Sequence, residues 1–148
     1  MAGENKRLIQ TRVGEREISE DTIISFPKGL IGFEECRDFV LLPVSEDSPF
    51  LLLQSLDDPR LGFLVADPYP FVKEYQIQID VPQRLVLQLE REGQQAVLVT
   101  VTIPKNEPEK AKLNLSGPII LNTESRIGLQ VPQADIDFPP HILLAETR

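Results

Sequence analysis

Residues 49–68, PFLLLQSLDDPRLGFLVADP, restrict the possible folds more than any other stretch of the chain. Two apolar runs, 50–56 and 61–66, flank the polar break Asp57-Asp58-Pro59-Arg60. Pro59 presets φ for the second position of a β-turn and Asp58 suits the first, so the runs are predicted to pair as a hairpin. Alternate side chains of a strand leave opposite faces. Phe50, Leu52 and Leu56 therefore point one way, and Leu51 and Leu53 the other. An arm that is apolar on both faces belongs inside a closed or double-layered sheet. Gln54 interrupts the run, and a buried amide needs partners. It either ties loops together or marks where the strand surfaces. Phe50, Leu52, Leu53, Phe63, Val65 and Val99 are the expected core.

The remaining apolar runs are equally short, and 13 prolines are scattered between them, which suits many strands joined by turns. Residues 7–13 read as a first strand, 14–17 as a turn, and Ile18 with 22–26 as a second strand stopped by Pro27. Gly29 and Gly32 allow tight bends, and 39–44 form a third strand that Pro43 places at an edge. Residues 67–75 are expected to make one helical turn capped by Asp67, with Phe71 and Tyr75 on one face. Residues 76–80 alternate like a strand. Residues 81–90 fit helical spacing at Val81, Leu85 and Leu89 and strand spacing at Leu85, Leu87 and Leu89, so their type stays open. Residues 96–103 read as a half-exposed strand, with Val97, Val99, Val101 and Ile103 on one face and Thr100 and Thr102 on the other. Short strands at 111–116, 119–122 and 126–131 are joined by Gly117-Pro118 and Thr123-Glu124-Ser125. The sum is an all-β fold: a small closed β-barrel or strongly curved sandwich of about ten short strands with at most one or two helical turns. A chain of 148 residues fits a single domain over 1–148. Pro118 and other edge prolines oppose sheet-to-sheet association, so a monomer is expected.

A net charge of −8 repels phosphate backbones and points away from direct nucleic-acid binding, toward a basic protein partner. No stretch reaches the length of a signal peptide or a membrane helix, and the lone Cys36 has no internal partner, so a reduced cytoplasmic protein without membrane contact is expected. Catalysis finds little support. His141 is the only histidine, and Cys36 lies between Glu35, which opposes a thiolate, and Arg37, which favours one. One Cys and one His rule out a zinc site built from those residues alone. Asp135-Ile136-Asp137 has carboxylates two apart but lacks the glycine and terminal Glu of a calcium loop. Gly29 and Gly32 lack the spacing of a phosphate cradle. Neither cofactor nor metal is expected. Glu34, Glu35, Asp57, Asp58 and Asp67 sit in turns beside Phe33, Pro68, Tyr69 and Phe71. Acidic residues around aromatic anchors suit a partner-facing surface.

Several fragments together carry a resemblance to a known family. They are Ile23-Ile-Ser-Phe-Pro-Lys-Gly-Leu-Ile-Gly-Phe-Glu34, Pro49-Phe-Leu-Leu-Leu-Gln-Ser55, Phe63-Leu-Val-Ala-Asp-Pro68 with Phe71 and Tyr75, and Asn114-Leu-Ser-Gly-Pro-Ile-Ile-Leu-Asn122 with Gln130-Val131. In this order and spacing the chain resembles the flagellar assembly factor FliW family over nearly its whole length. It departs at Gly117, where alanine is common, and in a less basic 126–129 turn. The resemblance implies a non-catalytic β-barrel that binds flagellin before export. When free, it binds the RNA-binding translational repressor CsrA non-competitively, which relieves repression of flagellin translation. A flagellin-only chaperone is the nearest alternative. A hydrolytic or small-molecule-binding β-barrel, using Cys36, His141 and acid pairs, is a more distant one.

Overall fold

A computed structural model describes residues 5–134 and 138–146. The predicted hairpin is at its centre. Strand β5 (Leu51–Ser55) pairs antiparallel with β6 (Gly62–Ala66). The Leu61 N–H donates to the Asp58 carbonyl at 3.0 Å across the Asp58-Pro59-Arg60-Leu61 turn. On the other side of β5 lies β4 (Asp38–Pro43), so Leu41, Leu53 and Phe63 form one cross-strand row. The other strands are β1 (Lys6–Thr11), β2 (Gly14–Ser19), β3 (Ile24–Ser25), β7 (Gln95–Thr102), β8 (Lys112–Asn122), β9 (Ile127–Gln130) and β10 (His141–Leu143). The sheet runs β10-β8-β7-β6-β5-β4-β3-β9, and β8 also pairs with β9. That second pairing closes β3 to β9 into a barrel and leaves β10 as a flap on β8.

Strand alternation sorts the apolar residues into three layers. The barrel interior holds Ile24, Phe26, Leu30, Phe39, Leu53, Val65, Leu98, Ile119 and Leu121. Outside, β6 to β9 carry Ala66, Val97, Val99, Val101, Leu113, Leu115, Ile120 and Leu129 under the 67–94 excursion and the chain end around Phe138 and Ile142. On the opposite side, Val40, Leu42 and Leu52 lie beneath Ile9 and Ile18 of the β1–β2 hairpin. Leu52, Leu53, Val65 and Val99 are buried as expected, while Phe50 and Phe63 are half-buried at the margins. Gln54 is fully buried and ties loops together. Its Nε2 lies 3.0 to 3.1 Å from the carbonyls of Ser55, Pro59 and Leu61, and its Oε1 accepts the Arg12 N–H at 3.0 Å.

Several local expectations are corrected. Residues 14–17 belong to β2, which pairs with β1 from Lys6↔Ser19 to Thr11↔Gly14, although its composition resembles a turn. The expected second strand accordingly breaks into β2, a 3₁₀ turn at Glu20–Thr22 and the two-residue β3. β4 lies between β3 and β5 in the sheet and is not an edge strand, but β3 reaches only Asp38 and Phe39, so Pro43 is paired on one side alone, with Leu51 of β5. Residues 67–75 do contain the single helical turn expected, closed by the Val72 N–H on the Pro68 carbonyl at 2.8 Å, and continue as a further turn to Tyr75 rather than as a helix. The Asp67 carboxylate still caps the Tyr69 N–H at 3.0 Å, and Phe71 and Tyr75 do share the outer core. Residues 76–80 are extended without a strand partner. Gln133 stands in for one, accepting the Gln78 N–H at 2.7 Å and donating to the Gln78 carbonyl at 3.0 Å.

The open segment contains α1 (Val81–Leu87), started by a reciprocal cap between Asp80 and Gln83 and ended by Gln88 in the left-handed region. β7 is apolar on both faces around Leu98, and Ile103 lies beyond it. The strands expected at 111–116 and 119–122 are one continuous β8. The register slips between Leu98 and Thr100, so residues 115–118 have no direct β7 partners. They bond elsewhere, through Leu115 N–H to Pro140 O, Val131 N–H to Pro118 O and Gln133 N–H to Ser116 O. Pro118 thus sits where β8 changes neighbours, not on an edge, and its missing N–H costs no ladder bond there.

Gly128 lets β9 approach the interior. A Cβ at this position would lie 2.5 Å from the Phe26 ring, which is fully buried against Phe39. Gly128→Ala should therefore lower stability by ~1–3 kcal/mol through overpacking. Urea unfolding checks this, and an unchanged midpoint would show that the ring moves aside freely.

Candidate protein-docking surface

The turn joining β5 and β6 organises one end of the barrel. Ser55 Oγ accepts the N–H groups of Asp57 and Asp58, each at 3.0 Å. Asp57 Oδ2 accepts the N–H groups of Arg37 (2.9 Å) and Asp38 (3.2 Å). Asp58 Oδ1 accepts the Arg60 N–H at 2.9 Å and faces its guanidinium Nε at 3.5 Å. In the neighbouring loop Glu34 Oε2 accepts the Gly32 N–H at 3.1 Å, and Arg37 Nε donates to the Glu34 carbonyl at 2.9 Å. Glu34 and Asp57 are thereby tied to Arg37, with Glu35 and Asp58 beside them in the chain. Asp67 is not. It follows β6 at the far end of a five-residue strand, about 17 Å away at the usual rise per residue.

The gathered face carries Glu34, Glu35, Asp38, Asp57 and Asp58 against Arg37 and Arg60, and so is locally acidic. An apolar shoulder adjoins it. Gly29 (φ +65°) and Gly32 (φ +87°) fold the loop so that Leu30 is buried while Ile31 and Phe33 turn outward, 57% and 41% exposed. Phe33 meets Phe63 edge to face at 5.2 Å. Ile31 was overlooked as a surface anchor, although its position between two glycines was the available signal. Of the other expected anchors, Pro68 is buried and Tyr69 and Phe71 pack inward on the outer core.

The titratable groups that depart from ordinary behaviour are structural. Tyr75 donates to the Leu115 carbonyl at 2.6 Å, and burial, reinforced by the nearby Tyr69, pushes its phenol pKa upward. Burial, then the Asp67 charge, raises Tyr69 as well. The Gln94 amide, with Arg91 adding to it, holds the exposed Glu124 carboxyl below its usual range. Cys36 is half-buried against the barrel interior. His141 is exposed, with Nδ1 3.0 Å from Asn114 Oδ1. Asp135 and Asp137 lie outside the described residues. Among the described residues no group of three or more His, Cys, Asp or Glu is placed to hold a metal ion.

This architecture has known counterparts. The profile of a family described as "FliW protein" matches residues 7–143. The chain belongs to the FliW family. It is 56% identical over 144 residues to the "Flagellar assembly factor FliW" of Nitratidesulfovibrio vulgaris strain DP4, covering 97% of this chain and 83% of the relative. Against the protein of the same name from Desulfovibrio desulfuricans it is 45% identical over 143 residues, covering 95% and 86%. A solved structure described as "Crystal structure of the flagellar assembly factor FliW" superposes with a TM-score of 0.86 at 32% identity, covering 93% of this chain and 96% of that one. These FliW relatives are named as assembly factors rather than enzymes. Among the described residues of this FliW-family chain, no helix is long and apolar enough to cross a membrane.

Proposed function

We propose that the protein is a cytoplasmic flagellar assembly factor acting by partner exchange rather than turnover. It holds flagellin before export. When flagellin leaves, the freed protein binds the translational repressor CsrA away from its RNA-binding surface and relieves repression of flagellin translation. Family membership over residues 7–143 carries this reading. The acidic face around Asp57, on a chain of net charge −8, supports it, because such a face complements a basic RNA-binding protein. The regulatory step is then a linkage. If this protein weakens RNA binding by CsrA, RNA weakens its own binding by the same factor.

Asp57, Asp58 and Glu34 accept backbone N–H groups, so charge reversal would damage the turn as well as the surface. The triple replacement Glu35→Gln, Asp57→Asn, Asp58→Asn removes three charges and leaves an acceptor oxygen at each position. It should slow CsrA association by about tenfold at low salt and flatten its salt dependence, measured by stopped flow. Unchanged rates would remove this face as the CsrA surface. A second arm adds purified flagellin to the CsrA complex. Failure of flagellin to displace CsrA would exclude partner exchange, and failure of CsrA to bind at all would leave a flagellin-only chaperone.

A further inference from the structure

Three connections that are far apart in the chain meet over β5, β6 and β7. Val13 comes from the corner of the β1–β2 hairpin, Val44 from just beyond β4 and Ile103 from just beyond β7. All three side chains are exposed, and they ring a depression of about 530 Å³ lined below by Leu52, Leu64 and Val101. A smaller depression of about 280 Å³ shares Leu64 and Val101 with it and adds the exposed Ile31, and Phe33 stacks on Phe63, which lines both. Five of the eight large apolar side chains exposed among the described residues are therefore gathered here. Apolar exposure concentrated in this way marks a contact surface, whereas scattered apolar residues do not.

The chain has 23 acidic residues, but none lines the larger depression. Arg12 does. Gln54 Oε1 holds its main-chain N–H at 3.0 Å, and its Nη1 donates to the Gly62 carbonyl at 3.0 Å. A guanidinium has five N–H donors, and this one has no carboxylate partner among the described residues. A positioned, uncompensated cation on an apolar rim selects a partner of opposite charge. The main chain has nothing to offer such a partner. β5 lies between β4 and β6, β6 between β5 and β7, and β7 between β6 and β8, so no strand edge is free at the depression. Recognition has to run through side chains, which suits a segment whose own backbone is satisfied internally, as in a helix.

We infer that this depression is a docking site for an amphipathic helix of a partner protein, with apolar side chains on one face and a carboxylate beside them. The apolar face covers Val13, Val44 and Ile103, as in helix-in-groove recognition, and the carboxylate forms a charge-assisted pair with the Arg12 guanidinium. The charge preference is opposite to that of the acidic face around Asp57, so the site stands independently of the CsrA reading.

The test uses the 15N-labelled full chain and the helix-forming peptide acetyl-Ser-Glu-Glu-Leu-Ala-Gln-Leu-Leu-Gln-Gln-Leu-Ala-Gln-Lys-amide, followed by amide chemical shifts. Saturable shifts are expected at Val13, Val44, 62–64 and 101–103. Exchanging both peptide glutamates for lysine should weaken binding about tenfold, the size of one charge-assisted hydrogen bond. Arg12→Glu should reverse that preference. Proline in place of the central glutamine pair breaks the helix and should abolish saturable binding. Ile103→Glu, at an exposed position outside the strands, should weaken every peptide with the shift dispersion preserved, and it decides the matter even where Arg12→Glu disturbs the hairpin. The inference is overturned by shifts centred elsewhere, by equal binding of the proline peptide, or by no saturable shift. Concentration-dependent changes at these amides without peptide would also overturn it, because a second copy of the chain would then be the occupant.

Discussion

Phe39→Ala is expected to lower the unfolding free energy by about 3–5 kcal/mol, the range for removing a buried phenyl ring. Phe39 is fully buried, at the level of the barrel where interior rings concentrate. It meets Phe26 edge to face at 5.2 Å and lies 6.5 Å from the Phe63 ring. The closed ladder holds the strands at fixed separation, so the walls cannot collapse into the space left behind, and cavity cost adds to lost transfer energy. A domain of this size has about 5–15 kcal/mol in total, so the loss is a large share of its stability. Urea denaturation followed by circular dichroism reads the change. A loss below about 1 kcal/mol would mean that the interior repacks and is less tightly filled than described.

Gln54→Leu should cost about 2–4 kcal/mol despite similar volume and greater hydrophobicity. The native amide donates among the Ser55, Pro59 and Leu61 carbonyls and accepts the Arg12 N–H. Leucine leaves these groups without that partner, and each buried unsatisfied group costs about 1–3 kcal/mol. The loss has a location as well as a size. Arg12 is the corner of the β1–β2 hairpin, which pairs only with itself, so amide exchange in β1 and β2 should accelerate more than in β4 to β6. Uniform acceleration would show that Gln54 supports the β5–β6 turn alone and does not clamp the hairpin.

Much of the core was legible because alternation depends only on sequence. The two-faced pattern of 50–56 required burial on both sides, and the structure places Leu51 and Leu53 inside the barrel and Leu52 and Leu56 under the N-terminal hairpin. Asp58-Pro59 marked a turn whose geometry the two residues impose locally. The type of 81–90 stayed open because its leucine spacings fit both periods, and the cap between Asp80 and Gln83 is what the structure adds to make it the helix α1. Of the docking face, the acidic residues and Phe33 were visible in the sequence. The separation of Asp67 from Asp57 was not, because it depends on the direction in which β6 runs.

Turn chemistry and apolar alternation, both short-range, were settled by the order of residues: the central hairpin, the all-β class and the identity of the buried leucines and valines. Long-range pairing belonged to the tertiary structure alone. It made a strand of polar Gly14–Ser19 by giving it β1 as a partner, and withheld one from residues 76–80, where Gln133 takes its place. It also carried β8 through Pro118, where the register against β7 slips. A backbone hydrogen bond across a sheet depends on which segment arrives alongside, and no local pattern of side chains encodes that.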